Sequence, residues 1–321
     1  MAIVVASLAN YTKDNLDALI SRSLFGQKFQ KNLVSRGGNV QKGIKTAERI
    51  HLLASDVFFD SDSGCGFTAS GDSTITARTI TVGATKVQKS FCPKTLRAKV
   101  TQLLLKAGSL AENGDESLIN QYFAEDIANN VAENVEKALF QGDTDSGNPN
   151  LNKWDGLLKV ASIAAGAIQA NTTTLMGAAI TAYTTSNIRT AVNAAWRSLP
   201  EGVKGSSDVE VQCGTDLFDL YIASYVDANL FHFKPEEVQN YELTIPGTGY
   251  KLVGYPGLSG TNKILAYRWS NLYLGTDLEN EEERYEFWID GSDNETVKMR
   301  MAFKLGIQVA YPNEVVRFDL A

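Results

Sequence analysis

Apolar and polar residues alternate along this chain with two clear periods, and the longest run of each predicts one element. Between Asp115 and Gly142, apolar side chains recur at Leu118, Ile119, Tyr122, Phe123, Ile127, Val131, Val135, Ala138 and Leu139. Spacings of one, three and four draw a single stripe along a helix. Asp115 suits the N-cap, where its carboxylate meets the positive end of the helix dipole. Gly142 suits the stop, because glycine enters the left-handed region cheaply. The predicted rod is about 38 Å long. Near the C-terminus the period is two: Val297, Met299, Met301, Phe303, Leu305, Ile307, Val309 and Tyr311 are apolar, with Lys298, Arg300, Lys304 and Gln308 between them. That pattern predicts a strand with one buried face. Arg284 to Asp290 precedes it across a Gly291–Asn294 turn, which predicts a long hairpin. The stripe of the rod is the expected partner of that hairpin.

The remaining pattern is weaker. Residues 1–54 predict short helices joined by polar turns, with Ser35 to Gly43 a flexible basic loop. Such a segment buries too little to fold alone and is expected to lie on something else. Thr74 to Phe91 is rich in β-branched residues and predicts two strands around a Gly83–Ala84 turn. Its apolar residues Ile75, Ile80, Val82, Val87 and Phe91 do not line one face. A lone ribbon of this kind is marginal in water, so it is expected to protrude and rest on another surface. Lys86 and Lys89 keep its edge charged. Phe140 to Ser162 is a long Gly/Asp/Asn turn that reads as a domain boundary. Beyond it, helices at Ser186–Leu199 and Asp216–Val226 alternate with a strand at Val209–Cys213 and with Gly/Pro-punctuated strands to about Leu278. This is an α/β-like lobe inserted between the rod and the hairpin.

Charge sharpens the picture. The chain of 321 residues has a net charge of −7, unevenly placed. Residues 1–54 carry eight Lys/Arg against three acids, or +5. Residues 112–145 carry nine acids against Lys137, or −8. A basic arm and an acidic rod are electrostatically complementary. No apolar run reaches membrane length and no signal peptide opens the chain, so it is expected in the cytosol. Cys65, Cys92 and Cys213 are too scattered for a disulfide framework or a zinc site.

Candidate chemistry is sparse. His51 and His232 stand alone, without metal-ligand spacing. Asp60–Asp62–Gly64 and Asp143–Asp145–Gly147 resemble the front of a calcium loop; the first lacks its closing Glu, the twelfth position falling on Gly71. Neither is read as a metal site. No nucleophile elbow, phosphate loop or basic–aromatic patch is present. Catalytic, cofactor and metal residues are therefore none.

The order of parts resembles a known family. It is carried by ALFQGDTDSGNPNLNKWDGLLKVAS, by YKLVGYPGL followed by ILAYRWSNLYLG, and by the final VKMRMAFKLGIQVAYPNEVVRF. The chain resembles the major capsid proteins of tailed bacteriophages with the HK97-type fold. The resemblance implies an α+β fold with an N-terminal arm at 1–54 and an extended β-ribbon, the E-loop, at 55–95. It implies a peripheral domain at 96–149 with its spine helix at 115–142, an axial domain at 150–278, and a return to the peripheral domain at 279–321. The implied function is a structural one. Copies assemble into pentamers and hexamers of an icosahedral head that encloses double-stranded DNA without sequence-specific binding. The implied place is the virion, assembled in the host cytoplasm, with no membrane. With no long leader before the arm, a separate scaffolding protein is expected, beside a portal and decoration proteins. The assembly-interface candidates are Lys28, Lys31, Arg36, Lys42 and Lys45 of the arm, Ile75, Arg78, Ile80, Val82, Lys86 and Lys89 of the ribbon, and Glu125, Asp126, Glu133 and Glu136 of the rod. An encapsulin-type compartment is the alternative within the fold. A soluble two-lobed enzyme is the alternative outside it, against which the missing histidines and metal ligands argue.

Overall fold

The structure, a computed structural model, describes residues 23–24, 26–56, 59, 71–91, 116–228, 240–277, 284–290 and 296–321. Cys65, Cys92, His232, most of the Asp56–Ser73 turn region, the Pro93–Ala107 segment and the 291–294 turn lie outside the described residues.

The two strong patterns become the frame. Helix α1 is Lys28–Ser35 and helix α2, the predicted rod, is Glu116–Gln141. The strands, in order, are β1 (Asn39–Gln41), β2 (Ala47–Ser55), β3 (Ser73–Thr81), β4 (Gly83–Phe91), β5 (Ile168–Gln169), β6 (Val209–Gly214), β7 (Glu242–Thr244), β8 (Lys251–Tyr255), β9 (Lys263–Arg268), β10 (Leu272–Thr276), β11 (Arg284–Ile289), β12 (Val297–Val309) and β13 (Val316–Asp319). Three further helices matter: α3 (Leu157–Val160), α4 (Ile188–Arg197) and α5 (Thr215–Asp227).

Strand β12 is the axis of a five-stranded sheet. Its first half pairs antiparallel with β11 and its second half with β10, while β4 runs antiparallel along its opposite edge. The short β1 adds parallel to β10. Along β12 the buried residues are those of the predicted period, Val297, Met299, Met301, Phe303, Leu305, Ile307 and Val309. Each contributes roughly 1.5–3 kcal/mol on leaving water. They share one core with Val131, Val135, Ala138, Leu139 and Phe140 of α2, so the rod does cover the hairpin's face.

The inserted lobe is a six-stranded sheet in the order β5-β13-β9-β6-β8-β7. Its central strand β6 is buried throughout. Ile188, Ala191 and Val192 of α4 and Leu217, Phe218 and Tyr221 of α5 cover it, in one core with Val211, Ile264, Val316 and Phe318. The chain's last strand, β13, therefore belongs to this sheet, and Arg317 on it donates to Leu158 O and Ala161 O at the end of α3.

The ribbon is built differently from the sequence expectation. Chain direction does break near Gly83, but β3 pairs backwards with β2, in nine steps from Ala47–Thr81 to Ser55–Ser73. Strand β4 joins the five-stranded sheet instead. The reason is packing. Ile50 and Leu52 on β2 and Ile80 on β3 face the same side and close a small core with Ile44, Val82 and Ala310. Gly83 passes so near Lys153 O, 1.9 Å from where a Cβ would sit, that the chain there is drawn onto the body. The 35–43 segment is not a plain loop either, since Asn39–Gln41 forms β1.

Candidate assembly surface

The arm residues fall into two groups. Helix α1 lies on its own chain, with Phe29 and Leu33 buried. Phe29 sits 4.3 Å, centroid to centroid, from Phe140, with Trp269 at 5.5 Å and Tyr255 edge-on at 5.6 Å. Lys28 donates from Nζ to Asn240 O, to Tyr241 O (3.3 Å) and to Gly254 O (3.4 Å). Asn240 and Tyr241 have φ of 52° and 59°, the left-handed region that non-glycine residues rarely adopt. The ammonium thus holds the carbonyls of a strained turn. Arg36 pairs with buried Glu210 and, at 2.7 Å, with Glu242. Tyr255 Oη and Trp269 Nε1 donate to the same Glu210 carboxylate, at 2.7 and 3.2 Å. Burial pushes the Glu210 carboxyl up, against the Arg36 charge and these donors. Lys28 and Arg36 are therefore engaged within the chain, whereas Lys31, Lys42 and Lys45 are exposed.

The rod divides in the same way. Asp126 and Glu133 are exposed, with Glu125 half-buried beside them. Glu136 is buried and accepts from Phe29 N at 3.3 Å and Gly257 N at 3.2 Å. Both donors lie in the first turn of a helix, where backbone N–H groups lack intrahelical partners. One carboxylate thus caps α1 and the Pro256–Leu258 turn together. Sequence reasoning placed Glu136 on the acidic outer side. The contrary signal was present, because Ala132 and Phe140, four residues away on either side, are both buried.

The acidic loop after the rod carries its own cation. Lys159 Nζ lies 2.6 Å from Asp143 Oδ1, 2.8 Å from Asp145 Oδ2 and 3.0 Å from Asp155 Oδ1. These hydrogen bonds raise the Lys159 pKa and hold the Asp143 carboxyl below its usual range. The stretch that looked like the front of a calcium loop is thereby filled by an ammonium. Among the described residues, no group of three or more His, Cys, Asp or Glu side chains is placed to hold a metal ion. Nor is any described helix long and apolar enough to cross a membrane.

The ribbon candidates separate by face, the one carrying Ile50, Leu52 and Ile80 being buried. Ile80 and Val82 are buried at the base, and Arg78 is half-buried there, donating to Gln308 Oε1 at 3.2 Å. Ile75 is 72% exposed and stands directly across from Leu53, which is 63% exposed. Opposed residues of an antiparallel pair share a face. The far end of the ribbon therefore presents an apolar pair with no cover from the described residues. Lys86 and Lys89 are exposed on β4 and line a groove of about 650 Å³ between that strand and α2. Asp126, Asn130, Ile127 and Val131 form its opposite wall.

No protein-family model matches this sequence, and no curated protein matches it. Solved structures do. A chain of the satellite phage P4 procapsid that includes the size determination (Sid) protein is similar over 95% of this chain and 90% of its own, with a TM-score of 0.62 at 13% identity. A chain of Gordonia phage Cozz is similar over 90% and 86%, with a TM-score of 0.57 at 15% identity. A virus-like particle from Pyrococcus furiosus is similar over 94% and 96%, with a TM-score of 0.50 at 11% identity. The chain has the α+β fold of these particles, the HK97-type capsid fold.

Proposed function

We propose that this chain is the major capsid protein of a tailed bacteriophage, a structural protein whose copies form hexamers and pentamers and close an icosahedral head around double-stranded DNA. The observation that carries the reading is the exposed Leu53–Ile75 pair, on the ribbon face opposite to the one that Ile50, Leu52 and Ile80 bury, in a chain with the fold of the phage P4 procapsid. An apolar pair held out on a ribbon is a feature that a neighbouring copy completes. Shells need many such heterologous contacts, each modest and closed by symmetry.

In this reading the ribbon lies on an adjacent copy beside α2, whose exposed Asp126 and Glu133 meet Lys42 and Lys45 of the arm, which lead into the ribbon. Apolar contact dominates and charge assists. Glu136 is buried, and Asp143 and Asp145 already hold Lys159, so the rod offers fewer free acids than its composition implies. The chain up to Thr46 serves as the arm, and the paired strands β2 and β3 serve as the E-loop, so the arm ends earlier than residue 54. Helix α2 with β4, β10, β11 and β12 serves as the peripheral domain, and β5 to β9 with β13 serve as the axial domain, which shifts the expected bounds at β10 and β13. The DNA is confined and not read. A scaffolding protein, a portal and decoration proteins are the partners, and the virion is the destination, with assembly in the host cytoplasm.

The likeness to the Pyrococcus furiosus virus-like particle favours a second reading, a protein compartment of the encapsulin type. Negative-stain microscopy of the purified chain tests both readings. Capsomers or closed shells are expected. A monodisperse monomer at high concentration overturns them. DNA-filled heads from infected cells select the first reading, and shells loaded with a protein cargo select the second.

A further inference from the structure

The seat of α1 combines strong attachments with uncompensated costs. Phe29 fills an aromatic pocket, and Glu136 caps the helix. In the same helix Gln30 is fully buried, and neither its amide nitrogen nor its oxygen has a hydrogen-bond partner among the described residues. A buried amide without partners sacrifices its hydration for nothing, whereas an apolar side chain of similar volume would lose nothing there. Two carboxylates, Glu136 and Glu210, are also buried where the helix and the Arg36 turn dock. The seat is made jointly by α2 of the first sheet's body and by β6, β7 and β8 of the second. Glu136 also binds Gly257 directly, so α2 stays joined to the β8–β9 connection without α1.

We propose that α1 is a releasable strap, which opens from the seam between the two sheet bodies while both bodies remain folded. Its aromatic anchor and its carboxylate cap hold it shut, and the unpartnered Gln30 amide sets the hold weaker than that of the core around it. Opening would bare Phe140, Tyr255 and Trp269 and free Lys28 from the 240–241 turn. The device belongs to one subunit and needs no neighbouring copy.

The test is hydrogen–deuterium exchange, read by mass spectrometry on the purified full-length chain. Peptides covering residues 28–36 are expected to exchange well before those covering 299–307 of β12. Gln30→Leu is expected to slow exchange of 28–36 by about tenfold or more while 299–307 is unchanged. Gln30→Met is a second variant, nearer in shape, with the same expectation. Phe29→Ala is expected to speed exchange of 28–36 alone. The proposal is overturned if 28–36 exchanges in step with 299–307. It is equally overturned if neither Gln30 variant slows it, or if Phe29→Ala opens both peptides together.

Discussion

Glu136 accepts a hydrogen bond from the backbone N–H of Phe29, 107 residues earlier in the chain. A side chain near the end of one helix thereby caps the start of another. Replacing it with alanine strands that donor and the one at Gly257, both in buried surroundings. Glu136→Ala is expected to cost about 2–4 kcal/mol of stability in urea denaturation. Glu136→Gln keeps a carbonyl acceptor and is expected to cost less than half as much.

The same carboxyl sets a pH dependence. Burial pushes it up, against the Gly257 and Phe29 donors and the Lys28 charge, while Glu133 adds to the rise. Burial also raises Glu210, against Arg36. A carboxyl raised on folding binds its proton more tightly in the folded state. Its contribution is complete below the unfolded carboxylate range and is lost as pH rises through the folded value. After correction for intrinsic exchange rates, residues 28–36 are expected to be better protected at mildly acidic pH than at pH about 8. The Glu136→Gln variant is expected to show a flatter profile. Exchange that slows as pH rises would contradict the assignment.

Removing the ammonium at the acidic loop leaves Asp143, Asp145 and Asp155 facing one another without a cation. Like charges at this range repel, so the 143–155 segment is expected to loosen in Lys159→Ala. Limited proteolysis would show new cleavage there. Lys159→Arg, which keeps a cation there, is expected to keep most of the parent's protection.

The face of the ribbon decides the outcome of substitutions there, since Leu52 is buried beside exposed Leu53. Leu53→Asp with Ile75→Asp is expected to leave the thermal transition almost unmoved and to abolish particles in negative stain. Ile80→Ala, at the buried base, is expected to cost about 2–4 kcal/mol. A double aspartate variant that still forms shells would remove the ribbon tip from the assembly interface.

How much of this was legible in the sequence depends on how local each signal was. The rod and β12 repeat one period over many residues, and both appear in place, as Glu116–Gln141 and Val297–Val309. The β11–β12 hairpin is likewise local. The ribbon misled because β3 has two candidate partners, and the nearer one, β4, is not the one it takes. The choice rests on Ile50, Leu52 and Ile80 meeting over Ala310, a contact across more than two hundred residues that no short window contains. β13 was unreadable for the same reason, since its partner β9 lies beyond the whole β10–β12 run. The surface chemistry failed at Glu136, Lys28 and Arg36, where charge was counted as exposed. The buried residues flanking them, Phe29, Leu33, Ala132 and Phe140, were the available correction.

Strand β12 also governs when the molecule can fold. β4, β10 and β11 all hydrogen-bond to it, so three stretches of chain wait on residues 297–309. The second sheet has no such delay, since β6 pairs with β8 and β9 from residues 209–268 alone, and β13 later closes one side on β9 and β5. In the first sheet, until residues 297–309 are made, β4 and β11 lack their partner and β10 has the short β1 alone. Open strand edges of that kind are what sister chains pair with during the interval.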